Sequence, residues 1–262
     1  MAIITLTSDW GTSDYYLAAV KGAILSQLPD AVIVDISHHI NQFDLESAAF
    51  TVRNCFRSFP PGTIHILAVN TEESVHQPHI VVRSGDHYLI GADNGIFNMV
   101  LGEAVDEVYE LDIIQDSGYF TFSTRDRFVK AAVRIARGLP LSELGDRREG
   151  ITKRMLLSPA YTSDNITGIV VHVDAYENAI TNISQELFRQ IGRKRPFEIR
   201  FSGYTLTKIH LGYMDESIAN LVALFGTHGM LEIALNQGKA ASLCGLWRNT
   251  QVRVEFFNDL RH

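Results

Sequence analysis

Short apolar runs alternate with helical patterns through the first half of the chain. Residues 3–7, 31–36 and 62–69 are apolar, and each run is followed by polar residues. Between these runs, apolar side chains recur at helical spacing after Asp14 and after Asp44, and Asp44 is a suitable N-cap residue. Buried strands that alternate with helices are typical of a mainly parallel sheet covered on both faces.

The same half of the chain contains a hairpin and one more helical pattern. Residues 79–84 and 87–90 are β-like runs joined by a Gly-Asp pair, which is common in hairpin turns. A further strand is predicted over residues 104–111 and a further helix over residues 126–138. Together these elements predict an N-terminal α/β sandwich domain over residues 1–157.

The pattern changes after about residue 157. Residues 158–166 are polar and rich in turn-forming residues, which predicts a linker. Beyond the linker, strand patterns dominate and one helix is clear, over residues 185–191. The predicted strands cover residues 168–173, 196–201, 221–224, 230–233 and 251–256. We therefore predict a smaller, mostly antiparallel β domain over residues 167–262.

Composition and charge narrow the classes of function. The chain has 262 residues, is 46% hydrophobic and carries a formal net charge of −7. It can bury a sizeable core, and it lacks the positive charge that drives binding to nucleic-acid phosphates. No apolar run is long enough for a transmembrane helix, and no secretory signal is evident, so we expect a cytoplasmic protein without nucleic-acid or membrane partners. Cys55 and Cys244 are expected to be buried, inert thiols.

Common cofactor and metal motifs are missing. The chain contains no GxGxxG, GxxxxGK[ST], HExxH, GxSxG or paired CxxC pattern. We therefore predict no metal site and no cofactor. One alternative is a metal-dependent phosphoesterase, because acids that follow strands can bind divalent cations. Its ligands would be Asp9, Asp35, His38 and His39.

Five segments, spread in order over nearly the whole chain, carry a family resemblance. They are SDWGTSDY at 8–15, IVDISH at 33–38, ADNGI at 92–96, TFSTRD at 121–126 and DAYENAITN at 174–182. In these segments the chain resembles the S-adenosylmethionine hydroxide adenosyltransferases and their relatives, the fluorinating and chlorinating nucleoside synthases. The resemblance implies an α/β N-terminal domain and a β-barrel-like C-terminal domain. It also implies a homotrimer whose ligand lies between one subunit's N-terminal domain and a neighbour's C-terminal domain.

The resemblance implies a partner for each part of the S-adenosylmethionine ligand. Asp14 would accept the ribose hydroxyls, although it could instead cap the following helix. Asp174 would contact the methionine ammonium group, although it could instead belong to an ordinary turn at a strand end. Thr227 and His228 would hold the methionine carboxylate, His228 only when protonated. Adenine and ribose would be lined by Phe43, Phe122, Tyr176, Asn178, Tyr213 and Gln237. For the two tyrosines, ordinary core packing is the alternative.

The catalytic Asp, Arg and His positions of the hydrolytic relatives carry other residues here. Asn70 stands at the Asp position, Gln77 at the Arg position and Ser123 at the His position, followed by Thr124. Amide side chains orient water but do not take its proton at neutral pH, and serine needs an activating base. General-base help is typically worth about a hundredfold or more, so we expect slow release of adenosine from S-adenosylmethionine.

Three alternatives remain open for the chemistry. The halide-using relatives need no base, and Thr71 and Thr124 could supply hydroxyl groups to a halide ion. A general base could also lie in the loop after the third strand. For the residues of this loop we favour the alternative that they are solvated and take no part in catalysis. The candidates there are Glu72, Glu73, His76 and His79. Finally, the chain could be a catalytically impaired binder of S-adenosylmethionine, adenosine or a related nucleoside.

Overall fold

The computed structural model describes residues 1–115, 118–155 and 157–258. The chain divides into two compact units, Met1–Met155 and Leu156–His262. Residues 116, 117 and 156 of the predicted N-terminal domain and residues 259–262 of the predicted C-terminal domain lie outside the described residues.

The first unit is built on a six-stranded sheet in the order β2-β1-β3-β5-β4-β6. Its elements are β1 (Ile3–Ser8), α1 (Tyr16–Leu25), β2 (Val32–Ser37), α2 (Leu45–Arg53), β3 (Ile64–Ala68), β4 (His79–Ser84), β5 (His87–Ala92), α3 (Ile96–Leu101), β6 (Glu107–Glu110) and α4 (Val129–Ala136). Strands β2, β1, β3 and β5 are parallel neighbours, and β4 is antiparallel to both β5 and β6. The predicted mainly parallel α/β domain is therefore confirmed.

Two apolar cores lie on the two faces of this sheet. On one face, side chains such as Ile66 pack with α1 and α4. On the other face, side chains such as Leu67 pack with α2 and α3. Because neighbouring residues of a strand point to opposite faces, a continuous apolar run such as β3 serves both cores.

Several boundaries in the first unit differ from the sequence prediction. Helix α1 begins at Tyr16, and no side chain caps its first turn. The helical pattern over residues 126–138 includes a π-helical turn, Thr124–Phe128, before α4 begins. Helix α3 was not predicted, because it has only six residues and five of them are apolar, which leaves no helical alternation to detect.

The second unit is an antiparallel sheet that curls into a nearly closed barrel. Its elements are β7 (Ala160–Tyr161), β8 (Asn165–Val173), β9 (Ala179–Ser184), α5 (Gln185–Gly192), β10 (Phe197–Phe201), β11 (Tyr204–Leu206), β12 (Leu221–Phe225), β13 (Met230–Leu235), α6 (Ala240–Cys244) and β14 (Gln251–Phe256). The strand order is β11-β10-β14-β8-β9-β13-β12, with β7 beside β8. The end strands β11 and β12 contact each other, which confirms the barrel-like prediction.

The segment predicted as a linker, residues 158–166, forms β7 and the start of β8. Ala160 pairs with Thr167, and Tyr161 pairs with Ile166. The polar residues between the strands form the hairpin turn, in which Asn165 Nδ2 donates to Thr162 Oγ1 at 2.8 Å. Turn-forming residues mark hairpins as well as linkers, so composition alone did not separate the two.

Within the described ranges, no helix combines the length and the apolar character needed to cross a lipid bilayer.

Candidate active site

The carboxyl ends of the parallel strands place polar loops at one edge of the first unit's sheet. The loop after β1 is tied to the loop after β2: Gly11 N donates to the His38 carbonyl at 2.8 Å. Ser8 Oγ and His38 Nδ1 are hydrogen-bonded at 2.7 Å. These bonds fix the loop that carries Asp14.

Asp14 is exposed and is not used as a helix cap. It precedes Tyr15, the N-cap residue of α1, and no side chain accepts a capping hydrogen bond there. In the part of the chain that the structure describes, no hydrogen bond reaches the Asp14 carboxylate. The neighbouring Tyr15 raises the pKa of Tyr16, and the Asp14 charge adds to this effect. The capping alternative is therefore wrong, and the carboxylate is open to a ligand.

An aromatic cluster lies beside this loop. The ring of Phe122 meets Trp10 edge-on at 5.6 Å and Tyr16 at 5.3 Å, between centroids. The Arg125 guanidinium lies 5.1 Å from the Phe122 centroid and pairs with Asp126 through two hydrogen bonds. This pairing raises the pKa of Arg125. Phe122, predicted as a ligand wall, is thus half-buried and held from several sides.

Phe43, the other predicted wall residue of this unit, is 70% exposed. Its backbone has a positive φ of 64°. The backbone N–H donates to Asp9 Oδ2 at 2.9 Å, which connects the segment before α2 to the loop after β1. A bulky residue with positive φ is uncommon, and such strain often marks a functional position.

Asn70 and Gln77 are brought together, but Gln77 acts as a brace for its own loop. Gln77 Nε2 donates to the carbonyl of Asn70 at 3.0 Å and to the carbonyl of Glu72 at 2.7 Å. Asn94 Nδ2 donates to the same Asn70 carbonyl at 3.1 Å. An amide nitrogen has two hydrogens, so Gln77 has no donor left for a water or an anion.

Ser123 and Thr124 are both buried where the π-helical turn begins. The turn contacts α1, β3 and β5. Within the described residues, the buried Thr124 hydroxyl has no hydrogen-bond partner, and no hydrogen bond joins Ser123 or Thr124 to Asn70 or Gln77. An unsatisfied buried hydroxyl is costly, which makes Thr124 the strongest candidate here for contact with a small ligand.

His79 differs from the other three residues considered as a relocated base. Glu72, Glu73 and His76 are exposed as expected, but His79 is fully buried at the start of β4. Its Nε2 donates to the Thr71 carbonyl at 2.8 Å, which leaves Nδ1 as the acceptor, 3.7 Å from the Glu73 carboxylate. Burial lowers the pKa of His79, which keeps the ring neutral near neutral pH.

The residues of the phosphoesterase alternative have other partners. Asp9 accepts from the Phe43 N–H, and Asp35 pairs with Lys21 at 2.6 Å. Burial alone would raise the pKa of Asp35, but hydrogen bonds from Lys21 and His38 outweigh it and lower the pKa. Throughout residues 1–115, 118–155 and 157–258, no three His, Cys, Asp or Glu side chains are grouped to hold a metal ion.

In the second unit, Asp174 and Asn178 form one tight turn. Asp174 Oδ1 accepts from the backbone N–H groups of Tyr176 and Asn178, both at 2.9 Å. The side chain of the buried Asn178 donates to Asp174 Oδ2 at 3.0 Å. These neutral donors fix the position of the carboxylate, which fits the predicted contact with an ammonium group.

A buried carboxylate that sequence analysis did not select connects two predicted site residues. Glu232 on β13 is only 3% exposed. Tyr213 Oη donates to Glu232 Oε1 at 2.7 Å, and His228 Nε2 lies 3.2 Å from Glu232 Oε2. Burial and this carboxylate raise the pKa of Tyr213. The only signal for Glu232 in the sequence is one acid inside the apolar run MLEIAL.

The remaining predicted residues of this unit are on its surface. Tyr176 is 77% exposed and Tyr213 44% exposed, so core packing is wrong for both tyrosines. Thr227 and Gln237 are also exposed. Gln237 has a φ of 52°, which places its backbone in a left-handed turn.

Both units are similar to known protein domains. Residues 4–145 match the family model described as the SAM hydroxide adenosyltransferase N-terminal domain, and residues 168–253 match that of the C-terminal domain. The (R)-S-adenosyl-L-methionine hydrolase of Thermus thermophilus is 28% identical over 97% of this chain and 100% of the relative. The fluorinase of Nocardia brasiliensis is 25% identical over 97% of this chain and 96% of the relative.

A solved structure shares the fold. An uncharacterized conserved protein from Thermotoga maritima has a TM-score of 0.87 and 26% identity, with 96% of this chain and 99% of that chain covered.

Proposed function

The chain belongs to the SAM hydroxide adenosyltransferase family, and we propose that it binds S-adenosylmethionine and slowly displaces methionine from C5′ with water, releasing adenosine. The observation that carries this proposal is the Asp14 carboxylate. It is exposed, does not cap α1, and stands in the sequence between Trp10 and Tyr16, two members of the aromatic cluster. A carboxylate beside flat apolar walls suits a ribose diol and its neighbouring rings.

We assign the other parts of the ligand to the remaining predicted residues. Phe122 and Phe43 would line the sugar, and Tyr176, Tyr213, Asn178 and Gln237 would surround the adenine. The methionine end would lie against Asp174, Thr227 and His228. We also propose a homotrimer with ligand sites between subunits; light scattering on the purified protein tests this, and a monomeric mass would contradict it.

The proposed reaction is an in-line displacement. A water oxygen attacks C5′, the C5′–S bond breaks, its electron pair returns to sulfur to give methionine, and the surplus proton passes to solvent. Sulfonium is a good leaving group, so the protein mainly positions water and removes competing solvent. The Asn70 amide, Ser123 and the buried Thr124 hydroxyl are the candidates for holding that water.

A second candidate function is ligand binding with little or no turnover. The observation that favours it is the role of Gln77, whose two N–H groups are both occupied by backbone carbonyls. A halide as nucleophile is less favoured, although Thr124 offers a buried hydroxyl without a partner among the described residues.

The test is a long incubation of the purified protein with S-adenosylmethionine, with and without halide salts, followed by chromatography. Adenosine supports hydrolysis, and a 5′-haloadenosine supports halide transfer. If neither product forms although the folded protein binds adenosine, the result supports the second candidate function, ligand binding without turnover. The combined variant Asn70→Asp, Gln77→Arg, Ser123→His should raise hydrolysis about a hundredfold or more if the pocket is intact. A triple variant that binds adenosine but hydrolyses no faster would contradict our account of the lost groups.

A further inference from the structure

The loop after β3 and the π-helical turn each carry part of the proposed water site. Asn70 begins the loop over residues 70–77, whereas Ser123 and Thr124 lie at the start of the turn. Within the described ranges, no hydrogen bond joins Ser123 or Thr124 to Asn70. The relative position of the two segments must therefore come from other contacts.

An ion pair links the two segments directly. Arg127 Nη1 in the turn donates to Glu73 Oε2 in the loop, and Arg127 Nη2 donates to the Leu111 carbonyl at 2.7 Å. The Arg127 side chain is 12% exposed and that of Glu73 is 43% exposed. Because the guanidinium is largely covered and also bonded to Leu111, it is a fixed point that holds the more exposed carboxylate and, with it, the loop.

His79 completes a closed set of contacts around this ion pair. Its Nε2 donates to the Thr71 carbonyl in the loop at 2.8 Å, and its own carbonyl accepts from the Leu111 N–H at 2.8 Å. Its ring meets the ring of Phe128 in the turn edge-on, with 4.7 Å between centroids. The contacts therefore run from the loop through β4 and the segment after β6 to the turn, and the ion pair closes them.

Gln77 does not provide this link, because both of its N–H groups bond carbonyls of its own loop, those of Asn70 and Glu72. Gln77 shapes the loop, and Glu73 fastens it to the turn. A partly exposed ion pair contributes little to global stability. A displacement of about 1 Å in a reacting or positioning group, however, can slow a reaction about a hundredfold. The ion pair is therefore expected to matter more for rate than for folding.

Resting on the proposed function, we propose that Glu73 and Arg127 are positioning residues for the displacement reaction. Their ion pair holds the loop that carries Asn70 in register with the turn that carries Ser123 and Thr124, so that these side chains reach the same water molecule. The pair acts through those side chains and not on the ligand. Its loss lowers the turnover rate and leaves adenosine binding unchanged.

Separate measurements of turnover and binding test this inference. Glu73→Ala should lower the rate of adenosine release at saturating S-adenosylmethionine about tenfold or more, whereas the calorimetric affinity for adenosine and the urea midpoint should stay close to the wild-type values. Glu72→Ala is the matched control, because it removes the same charge from an exposed position of the same loop and should keep the wild-type rate. An unchanged rate in Glu73→Ala, an equal loss in Glu72→Ala, or a parallel loss of adenosine binding would overturn the inference.

A double-variant cycle distinguishes the ion pair from the loss of one charge. Arg127→Met and the double variant Glu73→Ala, Arg127→Met should both be as slow as Glu73→Ala, since each change breaks the same link. Losses that multiply in the double variant would show that the two residues act independently, which contradicts a shared positioning role.

Failure of the proposed function gives a different result. If the wild type releases no adenosine, hydrolysis by this chain is refuted, and Glu73→Ala is then compared in the variant Asn70→Asp, Gln77→Arg, Ser123→His. A slower rate with Glu73→Ala in that background supports the inference. Equal rates there, or no turnover in either background, would overturn it.

Discussion

A buried pair of histidines predicts that the protein loses stability in mild acid. Thr5 Oγ1 bonds His65 Nδ1 at 2.8 Å, and His65 Nε2 bonds His87 Nδ1 at 3.2 Å. Phe56 and Phe59 cover His65 edge-on. Burial, with the charge of His87, lowers the pKa of His65 from 6.5 to about 3. A proton on His65 would create a charge that is buried and faces the neighbouring His87.

The size of the effect follows from linkage. The folded pKa lies below the unfolded value, so the stabilisation is complete above about pH 6.5 and is lost as the pH falls below it. Between pH 7 and pH 5, His65 alone should cost about 2 kcal/mol of unfolding free energy. Burial also lowers the pKa of His87, which adds to the loss.

Urea denaturation at the two pH values measures this loss directly. His65→Gln keeps a partner for Thr5 but does not titrate, so its unfolding free energy should fall much less between pH 7 and pH 5. The matched control is His76→Gln, since His76 is exposed and should leave the wild-type loss unchanged. If His65→Gln and the wild type lose the same free energy, the buried pair is not the cause.

Four further substitutions test individual positions. Gly226→Ala should lower the free energy of unfolding by about 1–3 kcal/mol because of the clash with His228, whereas Gly22→Ala in α1, with nothing within 4 Å, should raise it by about 0.5–1 kcal/mol. Thr124→Val should leave urea stability equal or up to about 1 kcal/mol higher, yet weaken turnover; a large loss of stability would mean that the hydroxyl has a partner. Gln77→Ala should speed proteolysis of the loop over residues 70–77, and an unchanged cleavage rate would contradict the bracing role.

Local signals in the sequence predicted most of the fold. The Gly-Asp pair forms the turn between the adjacent strands β4 and β5. Asp44 caps the helix that follows it, and its carboxylate accepts from the Ser47 N–H at 3.0 Å. Strand β9 was missed because its sequence, AITNIS, mixes polar and apolar residues without clean alternation. Pairing with β8 and β13 stabilises β9 as a strand, although its local pattern does not indicate one.

The candidate site was harder to predict than the fold, because its contacts join distant positions. The resemblance identified Tyr213 and His228, but Glu232, which bonds both, emerged only when β13 was placed in the barrel. His79 was predicted to begin a strand and to be solvated as a candidate base; it begins β4 but is buried against Phe128. Which face of a strand is covered, and by what, depends on tertiary packing that spacing does not encode.

Asp14 is proposed to hold the adenosyl ligand by its ribose hydroxyls. Titration calorimetry with adenosine on the wild type, Asp14→Asn and the exposed matched control Asp30→Asn tests it most directly. Loss of charge-assisted hydrogen bonds worth about 1.5–3 kcal/mol should weaken binding to Asp14→Asn by about ten- to a hundredfold and leave Asp30→Asn unchanged. Wild-type affinity in Asp14→Asn would contradict the account.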